Sequence, residues 1–296
     1  MTETRCGLVA LLGRPNVGKS TLANALVRAQ VAITSSRPQT TRRMIRGIYT
    51  KGEQQLIVVD LPGVHRAKTL LGEKLNQLAG DLLFDVDVVA VLFPADEAIG
   101  KGDRGLAEQA FQIQGVIRLA IVTKTELVPK SKVVTQLLEV SALGDWDHVF
   151  PVSALEGFQV DELRDLLLSM LPVGPHLFPA GASSDLSVGE LAAEVIRGSA
   201  LEKLRDELPH SLAVTIDELQ QSDAATDIYA SLWVERDSQK GIVIGKGGSL
   251  LGQIGTAARL ELSEQLGTRV RVFLQVRIAK DWQNQPKQLG RLGFSV

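Results

Sequence analysis

A single cysteine, Cys6, stands in 296 residues. That excludes an internal disulfide and a multi-cysteine zinc site, and it fits a reducing cytosol. Long hydrophobic runs are missing too. The stretch Val88–Phe93 near mid-chain is six residues long, far short of the ~20 that cross a bilayer. The start, Met1 to Arg5 followed by apolar Leu8–Leu12, carries no signal-peptide cleavage site. A soluble intracellular protein is the expectation. Excess charge is absent as well: 32 Lys+Arg face 34 Asp+Glu, a formal net charge of −2, so the chain lacks the overall basic signature of a nucleic-acid binder. What is present is a core, since 45% of residues are apolar, and a length that suits one large domain or two ordinary ones.

Apolar runs at Leu8–Leu12, Leu56–Val59, Val88–Phe93, Ile117–Val122 and Val149–Val152 read as buried strands alternating with helical segments. The last of those helices is marked by Val160, Leu163, Leu166, Leu167, Met170 and Leu171. Buried strands separated by helices predict right-handed βαβ units on a mostly parallel sheet, with ligands at the carboxyl ends of the strands. Residues 1–172 therefore form an α/β domain. Residues 173–184, with Gly174, Pro175, Pro179, Gly181, Ser183 and Ser184, read as a linker. Residues 185–296 form a smaller α+β domain: a long helix, two strands, another helix and a last strand. That last strand alternates, with Val270, Val272, Leu274, Val276 and Ile278 on one face and Arg269, Arg271, Phe273, Gln275 and Arg277 on the other.

Gly13-Arg14-Pro15-Asn16-Val17-Gly18-Lys19-Ser20-Thr21 matches G-x-x-x-x-G-K-[ST] between the first strand and a helix. Its glycines let the backbone wrap until several N–H groups converge on phosphate oxygens, helped by the helix N-terminus. Lys19 would reach the β- and γ-phosphates and Ser20 would ligate Mg²⁺. Asp60-Leu61-Pro62-Gly63 follows the next strong strand. Asp60 would hold Mg²⁺ through water, and the Gly63 N–H would contact the γ-phosphate. Between them lies the hydroxyl-rich loop Arg37-Pro38-Gln39-Thr40-Thr41-Arg42, in which one threonine would complete the Mg²⁺ shell only when the γ-phosphate is present.

Base recognition is expected at Thr123-Lys124-Thr125-Glu126, where a guanine reader carries N-K-x-D. A carboxylate there accepts hydrogen bonds from guanine N1 and N2, which adenine does not offer. Glu126 keeps the carboxylate with one more methylene, and Thr123 puts a hydroxyl in place of an amide. Backbone N–H groups of Ser153-Ala154 would meet the guanine O6.

Gly245-Lys246-Gly247-Gly248, between the Ile242–Ile244 run and a helix bearing Leu250, Leu251 and Ile254, is a G-x-x-G loop of the kind that lets nucleic-acid backbone approach closely. Alone it is a turn; its surroundings and the local charge make it a candidate. Residues 185–235 hold 3 Lys+Arg against 11 Asp+Glu, whereas residues 236–296 hold 10 against 4. Arg236, Lys240, Lys246, Arg259, Arg269 and Arg271 are candidate phosphate contacts, with Lys246 foremost because it lies inside the loop. For Trp282 and Phe273 a structural role is preferred to base stacking.

In this order the elements resemble the Era family of translation-factor-related GTPases, a Ras-like P-loop G domain followed by a type II KH domain. The likeness spans essentially the whole chain, through Gly13–Thr21, Pro38–Arg42, Asp60–Gly63, Thr123–Glu126, Ser153–Ala154 and Val243–Gly248. Glu235–Gly241 looks most like actinobacterial members. The resemblance implies GTP hydrolysis to GDP and phosphate with slow intrinsic turnover, coupled to maturation of the small ribosomal subunit through the 3′ end of 16S rRNA. It further implies Mg²⁺ held by Ser20, Thr41 and Asp60, K⁺ near Asn16, a monomer, and a cytoplasmic location with a peripheral fraction at the inner face of the membrane. Lys19, Thr41 and Gly63 would carry catalysis. Val64 stands where Ras-like enzymes have a water-positioning glutamine, so a repositioned water and the cation take over that task. Thr123 and Glu126 depart from the family pattern and bear on guanine discrimination alone. Two alternatives stay open at this level: an RNA-binding protein that binds nucleotide with little hydrolysis or relaxed guanine specificity, and a GTPase whose C-terminal domain recognises a protein.

Overall fold

The computed structural model describes residues 3–33, 44–61, 69–83, 85–204, 208–222 and 224–294. The main boundary between two compact units falls between Asp185 and Leu186. The first unit carries β1 (Arg5–Leu12), α1 (Lys19–Val27), β2 (Ile45–Lys51), β3 (Gln54–Asp60), α2 (Leu70–Leu82) from Leu75 onward, β4 (Val88–Pro94), α3 (Lys101–Gln112), β5 (Ile117–Thr123), α4 (Lys130–Ser141), β6 (His148–Pro151) and α5 (Val160–Met170). Its sheet runs β2-β3-β1-β4-β5-β6, parallel except for the β2/β3 pair. Residues of β1, β3, β4 and β5 are buried almost throughout, because helices cover both faces of such a sheet. The parallel strands deliver Gly13, Asp60, Thr123 and Ser153 to one edge, at their carboxyl ends.

Strand β2 is absent from the sequence reading. Gly47 and the charges around it hide the alternation that would announce a strand. The glycine is required: a Cβ there would stand 2.9 Å from Val27 Cγ1. The hairpin to β3 turns on Gly52, at φ 60°, which suits a two-residue connection.

The segment expected as a linker, 173–184, is instead laid along the first unit. Gly174 N–H donates to Thr4 O at 3.0 Å and Ile48 N–H to Ser183 O at 2.8 Å. Leu177 and Phe178 N–H both donate to Gln55 Oε1, at 2.9 and 3.0 Å. The prolines and glycines keep this stretch out of helix and strand. The buried Gln55 amide and the open edge of β2 then supply partners for its backbone, and the edge strand is covered in the process.

The second unit holds α6 (Val188–Lys203), α7 (Leu208–Ser211), β7 (Ala213–Gln221), β8 (Ala225–Val234), α8 (Asp237–Ile244), α9 (Ser249–Leu266), β9 (Arg269–Ile278) and α10 (Pro286–Arg291). Its sheet order is β7-β8-β9, with β8/β9 parallel. Helix α6 starts in a capping box: Ser187 Oγ accepts from Glu190 N–H at 3.3 Å and Ser187 N–H donates to Glu190 Oε2 at 3.0 Å. Ala192, Ile196 and Ala200 of α6 and Ile254, Ala258 and Leu262 of α9 pack with Ile228, Leu232, Val270 and Val276 of the sheet. The alternation expected for β9 is present. The single helix expected between the strands is two, because the Gly-Lys-Gly-Gly run breaks it, and Ile242–Ile244 is the last turn of α8. Among the described residues, no helix is long and apolar enough to cross a membrane.

Candidate nucleotide site and nucleic-acid interface

The loop from Gly13 to Gly18 leaves β1 and runs into α1 at Lys19. Asn16 and Gly18 take left-handed backbone, φ 65° and 99°, which aims successive N–H groups inward. A Cβ on Gly13 would stand 2.6 Å from Val17 Cγ2, so only glycine closes the loop this tightly. Lys19 Nζ–H donates to Gly13 O and Arg14 O, each at 3.0 Å, which holds the ammonium inside the ring of backbone. Burial lowers the Lys19 pKa, partly opposed by the Asp60 charge. An anion seated in the loop would offset that desolvation. Ser20 Oγ–H donates to Asp60 Oδ2 at 2.6 Å, so two of the three expected Mg²⁺ ligands meet. Pro15 and Thr21 are half-buried in the same segment. Thr41, Pro62, Gly63 and Val64 lie outside the described residues; Leu61, just past β3, is buried.

The Arg14 side chain does not point at the nucleotide pocket. Its Nε–H donates to Asp103 Oδ1 at 2.6 Å and an Nη–H to Glu97 Oε2 at 3.0 Å. Both carboxylates raise its pKa, Asp103 chiefly. Asp103 is buried and also accepts from Gly100 N–H at 2.8 Å, at the start of α3. It thus anchors the phosphate loop to a neighbouring helix. Nothing in the sequence marks this residue, since its role exists only through a contact 89 positions away.

The base-reading segment is rearranged relative to expectation. Thr123 Oγ–H donates to Val17 O at 2.7 Å, so the hydroxyl at the end of β5 braces the phosphate loop. Lys124 has left-handed backbone, φ 56°, with Nζ 3.9 Å from Asp96 Oδ1. Thr125 and Glu126 lie in a 3₁₀ turn, and Glu126 Oε2 is buried with no hydrogen-bond partner among the described residues. An unmatched buried carboxylate oxygen is costly; the N–H groups of a guanine edge would satisfy it. Ser153 N–H donates to Phe158 O at 3.1 Å, so of the expected Ser153-Ala154 pair only the Ala154 N–H is left for a base oxygen. The donor set thus fits a guanine nucleotide with Mg²⁺: a backbone cradle, a buried lysine, a Ser–Asp pair and an unmatched carboxylate.

In the second unit Gly245, Gly247 and Gly248 all have positive φ, 71°, 60° and 80°. A Cβ on Gly245 would stand 2.8 Å from Leu250 Cβ. The loop is therefore glycine by necessity, and Lys246 stands exposed within it. Arg236 caps α8 and is exposed, while Lys240 is half-buried on that helix. Arg259 is exposed on α9 but sits three helical turns beyond the loop, about 16 Å along the axis. Arg269 is exposed at the start of β9. Arg271 is paired with Asp227 through Nε and Nη2, which removes it from the free phosphate contacts. Trp282 is fully buried, its Nε1–H donating to Ser211 O at 3.0 Å; its role is structural. Phe273 is 44% exposed.

Comparison with known proteins adds an independent line. The model of the "50S ribosome-binding GTPase" family matches residues 8–124, and the KH-domain model matches residues 207–283. GTPase Era of Mycobacterium avium is 55% identical over 99% of this chain and 100% of its own length; GTPase Era of Mycobacterium tuberculosis is 54% identical over the same shares. Among solved structures, a single-residue variant of Aquifex aeolicus Era bound to GDP·AlF₄⁻ superposes with a TM-score of 0.94 at 33% identity, covering 99% of this chain and 100% of the other. Era in complex with MgGDPNP and nucleotides 1506–1542 of 16S ribosomal RNA superposes at 0.93 with 32% identity, over the same shares.

Proposed function

Because the chain belongs to the Era family of GTPases, we propose that it hydrolyses GTP and binds the 3′ end of 16S rRNA during assembly of the small ribosomal subunit. The observation that carries the nucleotide half is the Lys19–Ser20–Asp60 cluster inside the glycine loop, with the Ser20–Asp60 contact at 2.6 Å. The RNA half rests on the positive-φ loop Gly245–Gly248 with Lys246 exposed, and on the relative solved with 16S rRNA.

Bound Mg²⁺ would supply charge neutralisation on the phosphates, held by Ser20 and Asp60, with Thr41 as the third ligand. Lys19, already inside the loop, stabilises negative charge on the terminal phosphates, and the backbone N–H groups of Arg14 and of residues 16–19 orient them. Asp103 and Thr123 keep that backbone in place through Arg14 and Val17. Glu126 receives the guanine N–H groups, and Ala154 N–H meets the base oxygen. The reading extends to K⁺ near Asn16, to slow turnover with no side chain at Val64 able to orient water, to a monomer, and to a cytoplasmic protein with a peripheral membrane fraction. Those extensions rest on the family likeness.

Lys19→Ala is expected to lower GTP turnover at least about 100-fold, measured by phosphate release from the full chain. Unchanged turnover would overturn the nucleotide assignment. Crosslinking in cells, followed by sequencing of bound RNA, is expected to return the 3′ end of 16S rRNA; its absence would overturn the RNA half.

A further inference from the structure

The helices of the second unit pack on one face of its sheet through the even-numbered residues of β8 and β9. The odd-numbered face is turned away from α6, α8 and α9: on β9 its residues Arg269, Arg271, Phe273, Gln275 and Arg277 are exposed, whereas on β8 Asp227, Ser231 and Trp233 are buried, with Arg291 of α10 over the Trp233 ring. Tyr229 and Phe273, directly opposite each other on β8 and β9, stack with ring centroids 4.7 Å apart and planes 13° from parallel. Because β9 is the sheet edge and Tyr229 covers the inner face of Phe273, the other ring face is turned outward from the sheet, and this side chain is 44% exposed.

The exposed charges of the β9 edge are cations. Arg269, Arg271 and Arg277 share the β9 edge with Phe273. Arg277 and Arg291 lie over the Trp233 ring at 5.6 and 5.0 Å. The acids begin on β7 but reach across the sheet: Asp217 Oδ2 accepts from Ser231 Oγ–H at 2.6 Å and from Gln275 Nε2–H on β9 at 3.0 Å, Glu218 stands opposite Tyr229, and Asp227 is neutralised by Arg271. A flat ring with an open face, set in a row of arginines, has the composition of a platform for an unpaired base with its phosphates.

We propose that the odd-numbered face of β9 is a second single-stranded RNA surface, on which a base extends the Tyr229–Phe273 stack while Arg269 and Arg277 contact phosphates. This inference rests on the RNA half of the proposed function. A KH loop clamps only about four nucleotides, and the 1506–1542 segment bound by the relative is far longer, so RNA is present to occupy another surface.

The test uses the full-length protein and two RNAs: the 3′-end segment of 16S rRNA corresponding to 1506–1542, and an oligonucleotide of about four nucleotides that only the Gly245–Gly248 loop would clamp. Phe273→Ala and Arg277→Gln are each expected to weaken the long RNA about tenfold or more. Short-RNA affinity and GTP turnover should stay unchanged, and Phe273→Trp should retain long-RNA binding. Ultraviolet crosslinks should map to the β9 peptide containing Phe273. Wild-type affinity of both variants for the long RNA would overturn the proposal and leave the face to another partner. Equal loss on both RNAs with a lowered melting temperature would also overturn it, as a folding effect. If the wild-type protein binds neither RNA, the RNA half of the proposed function fails first; Lys246→Asp, expected to lose both RNAs, separates the two failures.

Discussion

Glu126 and Thr123 show how far one residue can shift from the role its position suggests. In the sequence both look like losses from a base-reading motif. In the structure the Thr123 hydroxyl is committed to Val17 O, whereas Glu126 retains an acceptor unmatched among the described residues. In the function proposed above, guanine preference would depend on that carboxylate. Glu126→Ala is expected to lower GTP affinity about 10-fold or more while leaving ATP affinity unchanged, since a lost charged hydrogen bond is worth about 1.5–3 kcal/mol. Titration with both nucleotides checks it, and parallel losses would sink the assignment. Lys19, Ser20 and Asp60 were legible beforehand because their spacing around strand and helix is dictated by phosphate geometry. Asp103 was not, since any exposed helix start favours an acid there.

At the scale of elements, helix α1 that carries Lys19 is held at both ends. At its C-terminus the buried Arg164 guanidinium donates to Leu26 O at 2.5 Å and Ala25 O at 2.7 Å, satisfying carbonyls that the helix leaves open and complementing its dipole. Arg164→Ala should cost about 2–3 kcal/mol of stability, read from denaturant midpoints; a loss below about 0.5 kcal/mol, the range of an ordinary surface substitution, would refute this role. Helix α9 carries the opposite kind of feature. Burial, then the charges of Glu202 and Glu264, raise the Glu261 pKa. Its folded pKa therefore lies above the unfolded one, and the ionised side chain costs stability at neutral pH. That cost fades as pH falls from the folded value toward the ordinary carboxylate value. Glu261→Gln is expected to raise the melting temperature near neutral pH and to make no difference in acid. A gain that grows as pH falls would contradict this. Strand β2 and the docked 173–184 segment escaped the sequence reading for a shared reason: each is defined by an edge it pairs with, and local composition does not record an edge.

For the whole molecule, the net charge of −2 hides an acidic stretch followed by a basic one. RNA binding should accordingly be strongly salt-dependent despite the neutral mean. On the short oligonucleotide, three phosphate contacts from Arg236, Lys240 and Lys246 would give a slope of about −2 for log affinity against log salt, and Lys246→Ala should flatten it by about 0.7. A slope unaffected by that change would remove Lys246 from the interface.

By itself the sequence determined the glycine loop and its lysine, the buried parallel strands, the switch from an α/β to an α+β pattern, and the Gly-Lys-Gly-Gly turn. Each follows from local rules: backbone freedom at glycine, side-chain periodicity, and residues adjacent in the chain acting on one phosphate. Tertiary structure alone decided that Arg14 anchors on Asp103, that Thr123 braces Val17, that Arg271 is taken by Asp227, and that Phe273 opens outward beside Tyr229. Those outcomes join residues tens of positions apart, and which polar group finds which partner is settled only when packing brings them within hydrogen-bond reach.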